Sequence, residues 1–193
     1  MKPVLLFAMF CGLTAYSTAQ IHLTNPSFEG EPQDATVPVG WLPCEKGTTP
    51  DILPGPWGVF LEASEGETFV GLITREDGSF ESIAQRLREP LQPKDCYTFK
   101  IDLAHSNTYA SYSQPLRLRV WGGQTRCGKD QLLAETKFIT HSDWENYEFQ
   151  FSPKLRLNYL LIEAHYKDGY FSYKGNILLD NMTAIKKCVR ASL

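Results

Sequence analysis

Apolar and polar residues alternate with a period of two along much of the chain. Residues 97–103 (YTFKIDL), 116–121 (LRLRVW) and 147–151 (YEFQF) place apolar side chains at every second position, the pattern of a strand with one buried face. Residues 59–62, 68–74, 80–87, 133–139, 158–166 and 176–187 read as further strands. Turn-forming pairs separate them, among them Glu65-Gly66, Asp77-Gly78, Gly122-Gly123, Ser152-Pro153 and Asp168-Gly169. No segment holds an apolar stripe of helical period for more than about two turns. About nine strands joined by turns, with no repeat of fixed period, predict a single all-β domain, an antiparallel β-sandwich.

The first nineteen residues break this pattern. Lys2 is followed by an apolar run over residues 3–13, broken by Gly12, and then by small polar residues with Ser17 and Ala19 at the positions a signal peptidase needs. The run is too short to cross a bilayer of ~30 Å. It reads as a signal peptide at 1–19, cut after Ala19, leaving 20–193 as one sandwich domain. No later segment reaches the length of a transmembrane span. The expected location is outside the cytoplasm: periplasmic, outer-membrane associated or extracellular.

Composition sharpens this. The 193 residues carry a net charge of −3 with 42% hydrophobic residues, which excludes wholesale disorder and argues against a nucleic-acid partner. Three segments resist the strand pattern: 29–58 with its six prolines, 106–115 (SNTYASYSQP) and 167–175 (KDGYFSYKG). Long loops over a rigid sandwich are where binding residues concentrate.

Cys11 leaves with the signal, and Cys44, Cys96, Cys127 and Cys188 remain. Four cysteines in an exported chain predict two disulfides with three possible connectivities. The pairing Cys96–Cys188 with Cys44–Cys127 is preferred, because Cys96 opens one strand and Cys188 closes another. The absence of any C-x-x-C pair argues against zinc.

The chemistry of hydrolases and nucleotide enzymes is missing. No G-x-S-x-G, P-loop, G-x-G-x-x-G or H-E-x-x-H motif occurs. His22, His105, His141 and His165 are scattered, as surface or packed imidazoles would be. Glu76, Asp77 and Glu81 cluster, and Asp143 and Glu145 flank Trp144, but Glu76-Asp77-Gly78 reads as a turn rather than one half of a glycosidase carboxylate pair. The expectation is a protein that is not an enzyme and has no organic cofactor.

Residues 23–30 (LTNPSFEG), Gly40-Trp41, 94–99 (KDCYTF), the Trp144 strand and 177–185 (ILLDNMTAI) follow one another in order. Together they resemble the carbohydrate-binding modules of the galactose-binding-domain-like jelly-roll type. The chain also looks like a group of exported bacterial surface proteins with segments similar to residues 49–59, 71–77, 105–109 and 119–123.

The resemblance implies a jelly roll and one structural Ca²⁺ held by Glu29 and Asp180 with backbone carbonyls. That set supplies the hard oxygens the ion requires. Asn181 stands where a second Asp is common. The alternative role for both carboxylates is to satisfy backbone amides at the sheet edge.

Sugar binding calls for an aromatic platform with forked polar groups beside it. Trp57, Tyr109, Tyr112, Tyr170, Phe171 and Tyr173 are the aromatic candidates, with Arg75, Asp77, Asn107 and Arg117 as polar partners; Trp41, Trp121 and Trp144 are assigned to packing. Asn181-Met182-Thr183 is a glycosylation sequon placed in a strand. The implied function is a non-catalytic carbohydrate-binding module of an exported or cell-envelope protein. The alternatives are a structural or adhesive component binding an envelope protein and, third, a glycan-processing hydrolase.

Overall fold

In the computed structural model, residues 20–166, 169 and 171–188 are described; the expected signal peptide and Tyr170 lie outside the described residues. The alternating segments pair into two sheets. One contains β1 (Gln20–Ile21), β3 (Asp51–Leu53), β4 (Phe69–Thr74), β6 (Tyr97–Ala104), β7 (Gln114–Pro115), β10 (Glu145–Phe151), β12 (Gly175–Asp180) and β13 (Ile185–Lys187). The other contains β2 (Leu42–Pro43), β5 (Ser82–Leu91), β8 (Arg117–Gly123), β9 (Gln131–Glu135) and β11 (Leu157–His165). The eight-stranded sheet runs β1-β13-β6-β12-β4-β3, with β10 on β6 and β7 on β12; the five-stranded sheet runs β2-β5-β11-β8-β9. Every pairing is antiparallel except the two-residue contact of β7 with β12. This is a jelly-roll sandwich.

The period-two pattern works as expected. Val70 and Leu72 of β4, Phe99, Ile101 and Leu103 of β6, and Ile177 and Leu179 of β12 turn inward. They meet Ile83 and Leu87 of β5, Leu118 and Val120 of β8, and Leu160 and Ile162 of β11 in one core. The NPSFEG segment closes one end of it. Asn25, in the left-handed region at φ 50°, accepts from the Glu29 N–H at 2.8 Å and donates to the Glu29 carbonyl at 2.9 Å. This small ring turns Phe28 inward against Trp41, ring centres 5.1 Å apart. The Trp41 indole N–H donates back to the Asn25 carbonyl at 3.0 Å.

Cys44 is bonded to Cys127 and Cys96 to Cys188. The second bond fastens the end of β13 to the start of β6, where the Cys188 N–H also donates to the Cys96 carbonyl. The first joins the end of β2 to the turn between β8 and β9, on the other sheet.

Two strand assignments are corrected. Residues 59–62 are not a strand: the left-handed Gly55, Trp57 and Gly58 turn the chain out of extended pairing, and Val59 and Leu61 pack on the outer apolar cluster instead. Residues 176–187 are two strands, not one. The chain breaks at Asn181, φ 49°, so the sequon lies in that break, and the Asn181 amide donates to Asp102 at 2.9 Å.

Candidate functional site

On the outward face of the eight-stranded sheet, Leu53, Phe69, Ile73, Ala104 and Leu178 form an apolar surface that the flanking loops cover with Val59, Leu61, Tyr109 and Tyr112. This second cluster is separate from the inter-sheet core and anchors a ridge over the sheet.

The ridge is the tight turn Pro56–Gly58. Trp57 occupies the left-handed region at φ 55°, a conformation that costs a bulky residue about 1–3 kcal/mol and persists only where surroundings impose it. The surroundings are visible: the Trp57 carbonyl accepts from Ala110 N–H at 3.0 Å, and the Gly55 N–H donates to the Val59 carbonyl at 2.7 Å. The indole packs edge-to-face on Tyr112 at 6.4 Å and is 45% exposed.

A cleft lies on each side. One, of about 440 Å³, is lined by the indole with Pro32, Gln33, Asp34 and Pro56. The other, of about 330 Å³, holds Phe60, 77% exposed, beside Asn107, Thr108 and Ser142. The Asn107 amide donates to the Ser142 hydroxyl at 3.0 Å, which fixes its orientation. Each cleft therefore sets one exposed aromatic beside a forked polar side chain.

Beneath the ridge, Tyr109 donates its hydroxyl to Asp51. Burial pushes the Asp51 carboxyl above its ordinary range, against hydrogen bonds from Tyr109, the Ala35 amide and Trp57 that pull it down. Burial, then the Asp51 charge, pushes the Tyr109 phenol well above its usual value. Tyr109 is thus a corrected assignment. At 1% exposure it supports the ridge from below and offers no face to a ligand. Tyr112 is half-buried between Tyr109 and Trp57.

The other expected polar partners lie elsewhere. Arg75 is held by the buried Glu81 at 2.6 Å and by Thr49 at 3.1 Å, where burial, opposed by hydrogen bonds and the Arg75 charge, raises the Glu81 carboxyl. Asp77 accepts the Ser79 N–H at 2.9 Å across its own turn. Arg117 sits on the five-stranded sheet, paired with Glu135 at 2.7 Å and stacked over Phe138. Of the named set, the fold gathers Trp57, Tyr112 and Asn107 and leaves Arg75, Asp77 and Arg117 outside. Phe171 is almost fully exposed, and Tyr173 donates to the Pro115 carbonyl at 3.1 Å.

Phe60, Gln33 and Asp34 were not expected; Phe60 was hidden inside a segment read as a strand. Trp144 packs on Phe69 at 5.2 Å and donates to the Glu62 carbonyl at 2.8 Å, as packing would have it. Trp121 does not belong to the core. It is half-buried on the five-stranded sheet, and its indole N–H finds no acceptor among the described residues.

Glu29 and Asp180 come together at the end of β12. Asp180 is fully buried and accepts from Ser64 N–H at 2.8 Å, Glu65 N–H at 3.0 Å and Asn181 N–H at 2.7 Å. Burial, with a contribution from the nearby Glu29 charge, pushes its carboxyl up to about 6. Glu29 accepts from Glu67 N–H at 3.2 Å and lies so close to Gly66 that a side chain there would strike it. The buried Asp180 with the half-buried Glu29 beside it suits a cation, although these oxygens face N–H donors and, among the described residues, no group of three or more Asp, Glu, His or Cys side chains surrounds a common point.

No protein-family model matches this chain, and no curated protein matches it in sequence. Its fold is that of several solved structures. The CBM22-1 xylan-binding domain of Xyn10C from Paenibacillus barcinonensis aligns over 92% of this chain and all of its own length, with a TM-score of 0.57 at 17% identity. A cyclase from Fischerella sp. TAU aligns over 91% and 100%, with a TM-score of 0.58 at 16% identity. The K3 cleaved adhesin domain of Lys-gingipain from Porphyromonas gingivalis aligns over 88% and 99%, with a TM-score of 0.55 at 16% identity. Xylan-binding, adhesin and cyclase chains all share this sandwich, so the likeness shows the fold and does not choose among functions.

Proposed function

We propose that this protein is a non-catalytic module that binds a glycan at the Trp57 ridge. The observation that carries the reading is an exposed indole held in a left-handed turn, with a cleft on either side and forked polar groups, Gln33, Asp34 and Asn107, at its edges. Pyranose C–H faces stack on such a platform while the forks orient the hydroxyls. Among the described residues Asp34 is the single carboxylate lining either cleft, which speaks against the two-carboxylate chemistry of glycosidases. Calcium at Glu29 and Asp180 belongs to the same proposal as a structural ion beneath the loops, with backbone carbonyls completing its oxygens.

The test is a glycan-array screen of the oxidised protein with calcium and with EDTA. A specific hit that Trp57→Ala or Phe60→Ala reduces by tenfold or more (~1.4 kcal/mol) supports the reading. A melting temperature raised by calcium and returned by EDTA supports the ion. Silence across the array from folded protein sinks the glycan reading and leaves protein adhesion, for which the exposed Phe60 and Trp57 side chains would be the contact.

A further inference from the structure

The five-stranded sheet carries a third cleft that the glycan reading does not use. Between β5 and β11 the register slips: Leu157 pairs with Leu91, but Tyr159 pairs with Arg86. Residues 87–90 therefore bow out opposite Asn158 alone. The bow places Arg86 and Arg88 of β5, and Arg156 from the turn before β11, around one cleft of about 460 Å³ floored by Leu87 and Pro90. Asn158 lines the same cleft, pinned by its amide on the Gln124 carbonyl at 2.9 Å.

All three arginines are exposed, and none of their guanidinium groups hydrogen-bonds or ion-pairs with another described residue. Arg75, Arg117 and Arg119, by contrast, are each matched to a carboxylate. Three like charges lining one pocket repel one another, and an anion between them removes that repulsion while accepting forked N–H donors. Tyr159 stands in register with Arg86, so its half-buried ring projects from the same face.

We propose that this cleft binds the anionic groups, carboxylate or sulfate, of an acidic polysaccharide. The site is on the opposite sheet from the Trp57 ridge and stands or falls independently of it. A nucleic acid fits less well, because the chain is acidic overall at −3 and the basic residues occupy one short cleft rather than a stripe that could track a phosphate backbone. The aromatic ring beside the guanidinium groups suits a sugar ring that carries its charge at the edge.

The experiment is titration of the oxidised full chain with an oligogalacturonate, a heparin-type sulfated oligosaccharide, a neutral xylo-oligosaccharide and a single-stranded DNA of similar length. Salt is varied from ~0.01 M to ~1 M, over which the screening length falls from about 30 Å to about 3 Å. Binding of either acidic oligosaccharide that weakens steeply with salt supports the proposal, and the tighter of the two names the group. Arg86→Gln with Arg156→Gln should weaken it about ten- to a hundredfold, with an unchanged circular dichroism spectrum. Lys100→Gln, which removes a positive charge from the other sheet, should leave it within about twofold. The proposal is overturned by no binding of either acidic oligosaccharide at low salt, by equal affinity in the arginine variants, or by tighter binding of the DNA. The neutral-glycan response of Trp57→Ala reports on the ridge separately.

Discussion

Over the eight-stranded sheet, the loops lie on Leu53, Phe69 and Leu178 and close an apolar surface. Over the five-stranded sheet, the corresponding positions carry side-chain ion pairs. Lys129 bridges Glu45 and the buried Glu163, 2.6 Å from the latter, and Arg117 and Arg119 both hold Glu135. Burying hydrocarbon stabilises wherever the shapes fit, whereas burying charge is roughly neutral unless every partner is present. The apolar face can therefore hold a strained turn such as Trp57 in place, while the ionic face fixes partners more than it adds stability.

The sharpest way to break that contrast is to empty the apolar face. Phe69→Ala should cost about 3–5 kcal/mol in urea unfolding and release the ridge, so that glycan binding is lost with it. Next in size is the disulfide that crosses the ionic side. Replacing Cys44 and Cys127 by Ala should cost about 2–5 kcal/mol while leaving the Trp57 environment, read by fluorescence, unchanged.

Lys129→Met comes third. It leaves Glu163 buried with Arg119 at 4.0 Å and His165 at 3.9 Å as residual partners. The loss should fall below the ~3–5 kcal/mol of a fully orphaned charge. Adding Glu163→Leu should recover most of it, and a double variant no more stable than Lys129→Met alone would contradict the ionic description of this face.

The smallest effect is in pH. The Asp51 carboxyl is raised by burial, so its contribution to stability is present below its ordinary value of 3.8 and lost as pH rises through its folded value. Glu135 is the reverse: burial pushes it up, but hydrogen bonds and charge from Arg119 and Arg117 bring it below 4.5. Its contribution is present above 4.5 and lost as pH falls through the folded value. Melting curves of Asp51→Asn and Glu135→Gln against pH should deviate from the parent in opposite directions, the Glu135 deviation by about 1 kcal/mol or less because that site is partly exposed.

Much of this was legible in one dimension because strand patterns are local. The inward set Phe99, Ile101 and Leu103 follows from alternation, and the preference for Cys96–Cys188 among three connectivities came from their places at strand ends, which the structure joins. The Trp57 ridge was half legible: proline and glycine marked a loop, and loops over a sandwich bind. Tyr109 misled because a tyrosine in a Ser/Asn-rich loop gives no sign that its ring will be swallowed by a second apolar cluster. Trp121 misled in the opposite sense: alternation sets it on the outward face with Arg117 and Arg119, and a large apolar ring on that face still suggests packing.

By itself the sequence determined the sandwich and the inward faces of its main strands, because both rest on near-neighbour pattern. Tertiary structure alone decided which aromatics are presented and which arginines are matched by carboxylates. Those depend on contacts between segments tens of residues apart, where the outcome is set by burial and electrostatic pairing that no local pattern encodes.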